Sequence, residues 1–393
     1  MNFDSHYTPA EQPVATAHAR HVFSIGLPAS ASPSERRFPL TPEAVGILVE
    51  RGFSVDIESG AAEPIHYTDN QYAAAGARIV DRATALRNDI VIHLAAMKQT
   101  DIRQMRRGAL LFTLFDIENQ SFDAIRSLLQ HGIIAIAIDL IQDSQGNYPF
   151  ADILAEIDGR ASIATASSLL ADSIHGKGIL LGGVAGVIPC EVTILGSGIA
   201  ACAAARSAAG LGALVRMFDD DVYALRRASR ELGSWLVGSS MHPRVLDSAL
   251  RTADVVIVTP MQRHVSISTE SVNLMKRGVI TFDLTESRNT FPSIPYVDLA
   301  HASPVDNSMT APRRVCYTNA GSAVPRTAAM ALSDTFTTTL YNLISCEGIT
   351  NAIKLLPGLQ KAVYTFLGKA VNSQIAAKVN TRRVDISIYL TLS

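Results

Sequence analysis

The stretch EVTILGSGIAACAAARSAAGLGALVRMFD, residues 191–219, decides the fold of this chain. It begins with an apolar run typical of a buried strand, passes through a glycine turn into an alanine-rich helix, and ends with a second apolar strand. Gly196 permits the tight turn, Gly198 lets the backbone approach a pyrophosphate, and the small Ala201 allows close packing of helix on strand. This order predicts a βαβ dinucleotide-binding unit, in which the pyrophosphate lies on four residues: Gly196, Ser197, Gly198 and Ile199.

Asp219 ends the second strand, 23 residues after Gly196. A carboxylate at this place accepts hydrogen bonds from an adenosine ribose and repels a 2′-phosphate, which favours NAD over NADP. Arg216 is offset from Asp219 by an odd number of residues on the same strand. It should therefore face the other side of the sheet and should not favour NADP. A glycine turn without ligand is the alternative interpretation, and the ordered strand, helix and acid argue against it.

Length and composition indicate a large globular protein with a small-molecule partner. The 393 residues exceed what one hydrophobic core of about 250–300 residues holds, so two domains are expected. Hydrophobic residues make up 48% of the chain and charged residues 18%. The net charge of −2 provides no field that would attract nucleic acid or an anionic membrane surface.

The cysteines and the N-terminal segment predict a reduced, cytoplasmic protein without a metal site. The four cysteines are widely spaced and form no close pairs of the kind found in zinc sites or disulfide frameworks. Residues 1–23 are polar and contain no apolar core of signal-peptide length, so we expect a flexible extension there. No later apolar run reaches the length of a membrane span.

Two series of short apolar runs alternate with helical patterns, which predicts two α/β domains with parallel sheets. The segment 159–175 and the segment 326–345 are predicted helices that connect them, so the first domain is discontinuous and a cleft lies between the two. The predicted division is a substrate or catalytic domain of residues 1–150 and 328–393, and a Rossmann domain of residues 151–327. The runs are HVFSIGLP, FSVDIES, NDIVIHLA, ALLFTLF and IIAIAID, then EVTILG, ALVRMFD, DVVIVT, VITFDL and RVCYTN.

Five ordered stretches resemble the alanine dehydrogenase and nicotinamide nucleotide transhydrogenase alpha-subunit family. The resemblance implies two Rossmann-like domains, an NAD-dependent oxidoreductase and a homo-oligomer, either dimer or hexamer. It also implies that Arg37 grips a substrate carboxylate and that Asn319 lies near the nicotinamide. The stretches are IGLPASASPSERRFPLTP, GFSVDIESGAA with YTDNQYAAAGARIV, HGKGILLGGVAGVIP, NAGSAVPRTAAMAL and LPGLQKAVYTFLGKAVNSQIA. A guanidinium also suits a carboxylate on chemical grounds, because its planar fork binds both oxygens.

Several positions depart from the family on the substrate side, while the nucleotide side is kept. The family's catalytic lysine falls on Ala95, its histidine on Asp116, and its aspartate on Ser287 beside Glu286. A serine near the nicotinamide pocket is replaced by Ala155. The loop after DVVIVT is shorter than in the family, so Pro260 and Met261 match the cofactor-contacting segment only roughly. Direct deamination of alanine is therefore not expected.

Amine oxidation by hydride transfer still needs a carboxylate anchor, a base and a group that holds the carbonyl or imine. Asp116 at a strand end is a candidate for acid/base work or ammonium binding, and a structural cap is its alternative role. His93 lies two residues before Ala95 and should project to the same face of a strand, although it could equally be satisfied within the sheet. Lys98 could reach in from the following loop, and Arg288 could meet a second acidic group.

Three functions remain open from the sequence. The first is an NAD(H)-dependent oxidoreductase that acts on the C–N bond of an amino or imino acid other than alanine, either as a dehydrogenase or in reductive amine coupling. The second is an NAD-binding sensor or assembly subunit without catalysis, which the loss of lysine, histidine and aspartate suggests. The third is a cyclase or deaminase with recycled NAD.

Overall fold

The computed structural model describes residues 22–285, 287, 289–301, 314–346 and 349–392. The expectations for residues 1–21, Glu286 and Arg288 therefore lie outside the described residues. Within these ranges, no helix combines the length and the apolar character that crossing a membrane requires.

The first sheet has eight strands and is built mainly from the N-terminal part of the chain. Its strands are β1 (Ser24–Leu27), β2 (Ser54–Glu58), β3 (Arg78–Val80), β4 (Ile90–Ile92), β5 (Leu110–Thr113), β6 (Ile134–Ala137), β14 (Val363–Phe366) and β15 (Lys369–Ala370). The order is β15-β14-β6-β5-β4-β1-β2-β3. Strands β1 to β6 run parallel, whereas β14 pairs antiparallel with both β6 and β15. The end of the chain thus completes the sheet that its beginning forms.

Short helices flank the first sheet, and their caps explain where they begin. Thr41 caps the first of them by accepting a hydrogen bond from the backbone N–H of Ala44, and Pro42 occupies the first helical position. The N-terminal helices are α1 (Pro42–Glu50), α2 (Asp69–Ala74), α3 (Arg82–Leu86), α4 (Gln99–Ile102) and α5 (Phe122–Gln130). The C-terminal ones are α12 (Ile349–Leu355), α13 (Pro357–Ala362), α14 (Ser373–Lys378) and α15 (Ile386–Leu392).

The second sheet has seven parallel strands. They are β7 (Glu191–Leu195), β8 (Leu214–Phe218), β9 (Val237–Ser239), β10 (Val255–Val258), β11 (Ile280–Asp283), β12 (Tyr296–Asp298) and β13 (Cys316–Thr318). The order is β12-β13-β11-β10-β7-β8-β9, so the chain reverses direction across the sheet between β7 and β10. Ligands of open α/β sheets bind outside the carboxyl ends of the strands at such a switch point. The helices are α7 (Ile199–Gly210), α8 (Val222–Leu232), α9 (Pro243–Thr252) and α10 (Thr269–Leu274).

Two long helices, α6 (Pro149–Ala171) and α11 (Pro325–Ser345), connect the sheets. The sequence predicted the second within one residue but placed the first too late, at 159–175. Helix α6 begins at Pro149, because proline suits the first position of a helix. It ends just before Asp172, whose carboxylate accepts hydrogen bonds from backbone N–H groups of the residues that follow. The predicted class, α/β with two Rossmann-like sheets joined by connecting helices, is confirmed.

Helix α6 lies very close to α7, and this contact positions the cleft. A Cβ atom on Gly159 would lie 2.1 Å from the carbonyl oxygen of Ala200, so the approach requires glycine on α6. Helix α7 contributes six buried alanines, whose small side chains permit the same close packing. The residues of α6 next to Gly159 are therefore held beside the N-terminus of α7.

Candidate functional site

The turn after β7 has a geometry that only glycine meets at its first position. Gly196 has φ of 106°, and a Cβ there would lie 2.1 Å from the Thr259 hydroxyl oxygen. That hydroxyl donates a 3.1 Å hydrogen bond to the carbonyl oxygen of Leu195 at the end of β7. Gly196 thus brings the ends of β7 and β10 together, and its requirement for glycine is internal to the protein.

Gly198 has a different reason to be glycine. Its φ of −77° is open to any residue, and the nearest atom to a Cβ would be the carbonyl oxygen of Pro260 at 4.0 Å. It is the N-cap of α7, and no described side chain caps that helix end. The first amide N–H groups of α7 therefore have no side-chain cap among the described residues, and a helix N-terminus favours an anion. This end of α7 could hold an anion such as a diphosphate.

Asp219 follows β8 and lies beside this turn, 8% exposed. One of its carboxylate oxygens accepts a 2.6 Å hydrogen bond from the Ser197 hydroxyl, and the other accepts a 2.9 Å bond from the backbone N–H of Asp221. The sequence predicted Ser197 as part of the pyrophosphate turn. Its hydroxyl also fixes the orientation of the Asp219 carboxylate, a contact that spacing alone did not reveal.

A cavity of about 470 Å³ lies next to Asp219. This volume falls within the range of about 300–1,000 Å³ that is usual for small-molecule sites. Met261, from the loop after β10, contributes to its wall. Arg216 does not line this cavity and forms a 3.2 Å ion pair with Glu191. The lining residues are Asp219, Asp220, Asp221, Val222, Tyr223, Met241, Met261, Gln262, Arg263 and Val265.

Arg37 lies in the loop that follows β1, and its side chain is 11% exposed. Its Nε donates a 2.8 Å hydrogen bond to Glu35 Oε1, and its Nη2 donates to Glu35 Oε2. Burial acts to lower the pKa of Arg37, but the charge and hydrogen bonds of Glu35, together with the charge of Asp158, hold it above its ordinary value. The guanidinium is thus permanently charged. One edge of its fork is occupied by Glu35, which leaves the other N–H groups for a ligand.

Asp158 on α6 is a site residue that the sequence did not reveal. It is half-buried, and its Oδ1 accepts a 2.6 Å hydrogen bond from the backbone N–H of Gly321. Burial raises the pKa of Asp158, and the positive charge of Arg37 and the hydrogen bond from Gly321 act in the opposite direction. A signal was present in the sequence, because Asp158 lies three residues after Ala155 and so shares its helix face.

Asn319 connects the two sheets at the cleft. It follows β13 with φ of 59°, a left-handed conformation that asparagine tolerates better than most residues. Its side-chain amide donates to the carbonyl oxygen of Ser34, in the loop of Arg37, and to Asp298 at 3.1 Å. The Ser34 hydroxyl and His301 are also within hydrogen-bond distance, at 2.9 Å. The structure thus brings Arg37, Asp158 and Asn319 to one place.

His93 is not placed as the sequence predicted. Strand β4 ends at Ile92, so His93 and Ala95 lie in the loop beyond it, where strand alternation does not apply. His93 Nε2 accepts a 3.0 Å hydrogen bond from the backbone N–H of Ala31, and Nδ1 lies 2.7 Å from the carbonyl oxygen of Ala95. Burial lowers the pKa of His93. Both ring nitrogens are occupied, which favours the alternative of a histidine satisfied by its neighbours.

Asp116 lies three residues beyond β5 rather than at its last residue. It has φ of 23°, it is half-buried, and both of its carboxylate oxygens accept 2.9 Å hydrogen bonds from the amide of Asn119. Lys98 is exposed at the start of α4, and Ser287 is exposed after β11. Within the described ranges, no hydrogen bond or ion pair joins these three residues to Arg37.

Among the residues with described positions, no group of three or more His, Cys, Asp or Glu side chains is arranged to hold a metal ion.

Known proteins resemble this chain along nearly its whole length. The sequence models "Alanine dehydrogenase/PNT, N-terminal domain" and "Alanine dehydrogenase/PNT, C-terminal domain" match residues 26–157 and 162–373. Alanine dehydrogenase of Mycolicibacterium smegmatis is 30% identical over 93% of this chain and 99% of its own length. Alanine dehydrogenase of Methanococcus maripaludis is 29% identical, with coverage of 90% and 95%.

Solved structures also resemble this chain. An L-alanine dehydrogenase matches with a TM-score of 0.79 at 26% identity, covering 91% of this chain and 99% of that one. A transhydrogenase from Sinorhizobium meliloti shares the fold with a TM-score of 0.70 at 21% identity, covering 89% and 99%. The chain therefore belongs to the alanine dehydrogenase/PNT family of oxidoreductases, as the five ordered stretches of its sequence predicted.

Proposed function

We propose that this chain is an NAD(H)-dependent oxidoreductase that acts on the C–N bond of an amino acid or imino acid other than alanine. The observation that carries the proposal is the turn at Gly198, which is open to an anion and lies beside the oriented carboxylate of Asp219. In this proposal residues 151–327 form the NAD-binding domain, and residues 1–150 and 328–393 form the substrate domain.

The nucleotide side is assigned from these contacts. The amide groups at the start of α7 hold the diphosphate, and Asp219 accepts hydrogen bonds from the ribose hydroxyls. Because Ser197 and the backbone N–H of Asp221 keep the carboxylate in place, a 2′-phosphate would meet its negative charge. This supports NAD rather than NADP. When bound, NAD accepts a hydride at C4 of the nicotinamide, and NADH donates one.

The substrate side has a carboxylate anchor, Arg37, and differs from the relatives at Ala95. Arg37 binds the substrate carboxylate through the N–H groups that Glu35 does not use. Ala95, which falls where the family's lysine lies, offers no group that could hold a carbonyl oxygen or move a proton. Because the methyl group of Ala95 cannot take over the role of that lysine, this position supports a substrate other than alanine. Asp116 remains a candidate for proton exchange, whereas His93, with both nitrogens occupied, positions the loop of Ala31.

Homo-oligomerisation is part of the proposal. The segment of residues 174–188 exposes six large apolar side chains, far more than scattered surface residues would account for. They are Ile174, Ile179, Leu180, Val184, Val187 and Ile188, with Ile188 83% exposed. A second copy of the chain covers this segment. Light scattering of the wild type and of Ile188→Asp tests it: a monomeric wild type contradicts this part of the proposal.

The oxidoreductase activity is tested by following NADH oxidation at 340 nm. A panel of 2-oxo acids is supplied with ammonia, with amino acid co-substrates, or alone. Turnover that requires an amine supports the proposal, and pyruvate with ammonia should be a poor pair. No turnover with any pair would falsify it. NADH binding without turnover would favour the alternative suggested by Ala95, an NAD-binding subunit without catalysis.

A further inference from the structure

Asp158 occupies a position between the two halves of the candidate site. It projects from α6, and its Oδ1 is bound to the N–H of Gly321, two residues after Asn319. Arg37 is near enough for its charge to act on Asp158, although the two form no direct ion pair. Among the described residues, Oδ2 of Asp158 has no hydrogen-bond partner. The half-buried carboxylate thus has one oxygen without a partner in the described part of the chain.

The position is built around the carboxylate. A Cβ atom on Gly321 would lie 2.5 Å from Asp158 Oδ1, which is closer than atoms can approach without displacement. Gly321 does not have positive φ, so the neighbouring carboxylate, rather than backbone conformation, explains why a side chain is not accommodated. The short hydrogen bond therefore forms because α6 and the turn after β13 meet at a residue without a side chain.

The local charges do not balance. Glu35 and Arg37 form a two-point ion pair and neutralise each other, so the carboxylate of Asp158 is an additional negative charge. Arg37 attracts this charge and Glu35 repels it, while burial raises the pKa of Asp158. A partly buried carboxylate without a cation is costly, and a cation that binds it offsets part of that cost. A cation with hydrogen-bond donors would balance this charge.

Further polar groups at the same turn lack protein partners. Five buried side-chain atoms have no hydrogen-bond partner within the described part of the chain, and two of them are the hydroxyls of Thr318 and Ser322. These residues flank Asn319 and Gly321 on the chain. Buried polar groups of folded proteins are normally satisfied, so exceptions that gather at one turn indicate a surface that contacts a ligand or ordered water.

We propose that Asp158 binds the ammonium group of the substrate while Arg37 binds its carboxylate, so that the two side chains together select an α-amino acid zwitterion. The proposal rests on the proposed function in one respect, namely that Arg37 contacts a substrate carboxylate. An ammonium group offers N–H donors to the free Oδ2, and its positive charge balances the additional carboxylate. A 2-hydroxy acid with the same side chain carries no such charge and should bind less tightly.

The test compares matched ligands on matched variants. The probes are three pairs: L-alanine with L-lactate, L-leucine with L-2-hydroxyisocaproate, and L-glutamate with L-2-hydroxyglutarate. Calorimetry gives the ratio of the two dissociation constants in each pair, with NADH present. Asp158→Asn removes the charge and keeps an oxygen for the N–H of Gly321. Asp152→Asn is the control, because Asp152 is also an aspartate of α6 whose pKa burial raises, and it has no contact with Arg37.

We expect wild type to prefer the amino acid in at least one pair, and Asp158→Asn to reduce that preference by about 10- to 100-fold, the effect of one charge-assisted hydrogen bond. Asp152→Asn should keep it. The proposal is wrong if wild type prefers the amino acid in no pair, if Asp158→Asn keeps the preference, or if Asp152→Asn loses it equally. Asp158→Ser replaces the asparagine variant if the latter does not fold.

The same measurements separate this proposal from the proposed function. NADH binding is recorded first by fluorescence, and the probes are measured without the nucleotide if it does not bind. Loss of the amino acid preference in Asp158→Asn without any turnover of NADH would reject the oxidoreductase and retain the role of Asp158. Turnover of NADH together with an unchanged amino acid preference in Asp158→Asn would retain the oxidoreductase and reject the role of Asp158.

Discussion

Gly198→Ala should abolish tight NADH binding without harming the fold. The new methyl group would meet no protein atom closer than 4.0 Å, and φ of −77° is compatible with alanine. Gly→Ala substitutions at compatible positions stabilise proteins by about 0.4–1 kcal/mol, because they restrict the unfolded chain. Gly198 is also the N-cap of α7, where alanine is less favourable than glycine, so the two effects oppose each other and the free energy of unfolding should stay within about 1 kcal/mol of wild type.

The loss of binding follows from the same geometry. The methyl group would occupy the space in which the diphosphate approaches the amide groups of α7. Losing one hydrogen bond to a charged group costs about 1.5–3 kcal/mol. At about 1.4 kcal/mol per factor of ten, the dissociation constant for NADH should rise by about 10- to 150-fold.

Two further glycines serve as controls for Gly198. Gly196→Ala should destabilise the protein, because φ of 106° costs alanine about 1–3 kcal/mol and its methyl group would lie 2.1 Å from the Thr259 hydroxyl. Gly210→Ala, at the other end of α7, meets nothing within 4 Å and should leave binding unchanged. NADH fluorescence titration and thermal unfolding measure both properties. A folded Gly198→Ala protein that binds NADH like wild type would refute the reasoning.

Three other substitutions test separate contacts. Asp219→Asn should weaken NADH binding and narrow its advantage over NADPH by tenfold or more, and titration with both nucleotides checks this. His93→Gln tests the pH dependence of stability. Because burial lowers the pKa of His93, the free energy of unfolding of the wild type should fall as pH falls below about 6.5. Urea unfolding at pH 7.5 and 5.5 should show a smaller fall in the variant. A pH dependence identical to wild type would contradict that interpretation. Gly321→Ala should cost about 1–3 kcal/mol of unfolding free energy in wild type and clearly less beside Asp158→Ala, whereas additive effects in the double-mutant cycle would contradict the close contact.

Local signals in the sequence predicted the strand–turn–helix–strand unit of residues 191–219 correctly. The strand, the glycine turn, the alanine-rich helix and Asp219 are adjacent along the chain, so their geometry follows from short-range rules. The helix beginning at Pro325 and the cap at Thr41 were predictable for the same reason. The start of α6 was missed because its apolar first turns resemble a strand or loop as much as a helix.

The candidate site around Arg37 was less predictable because it depends on contacts between distant residues. Asp158 meets Gly321 across 163 residues, and Asn319 meets Ser34 across 285. No spacing rule relates such positions. The role of His93 also depended on the loop of Ala31, 62 residues away, which occupies the ring nitrogen that an exposed histidine would offer to a substrate. Resemblance identified Arg37, but only the structure revealed its pairing with Glu35 and its proximity to Asp158.

The most direct test of the proposed chemistry is transfer of deuterium from NADH labelled at C4 of the nicotinamide. The wild-type protein is incubated with the labelled nucleotide, a panel of 2-oxo acids and amines, and the products are analysed by mass spectrometry. We predict that deuterium appears on the carbon that gains the new C–N bond, and that Gly198→Ala transfers far less. A protein that binds NADH at the Gly198 turn but delivers no deuterium to any carbon of the panel would contradict the proposed oxidoreductase.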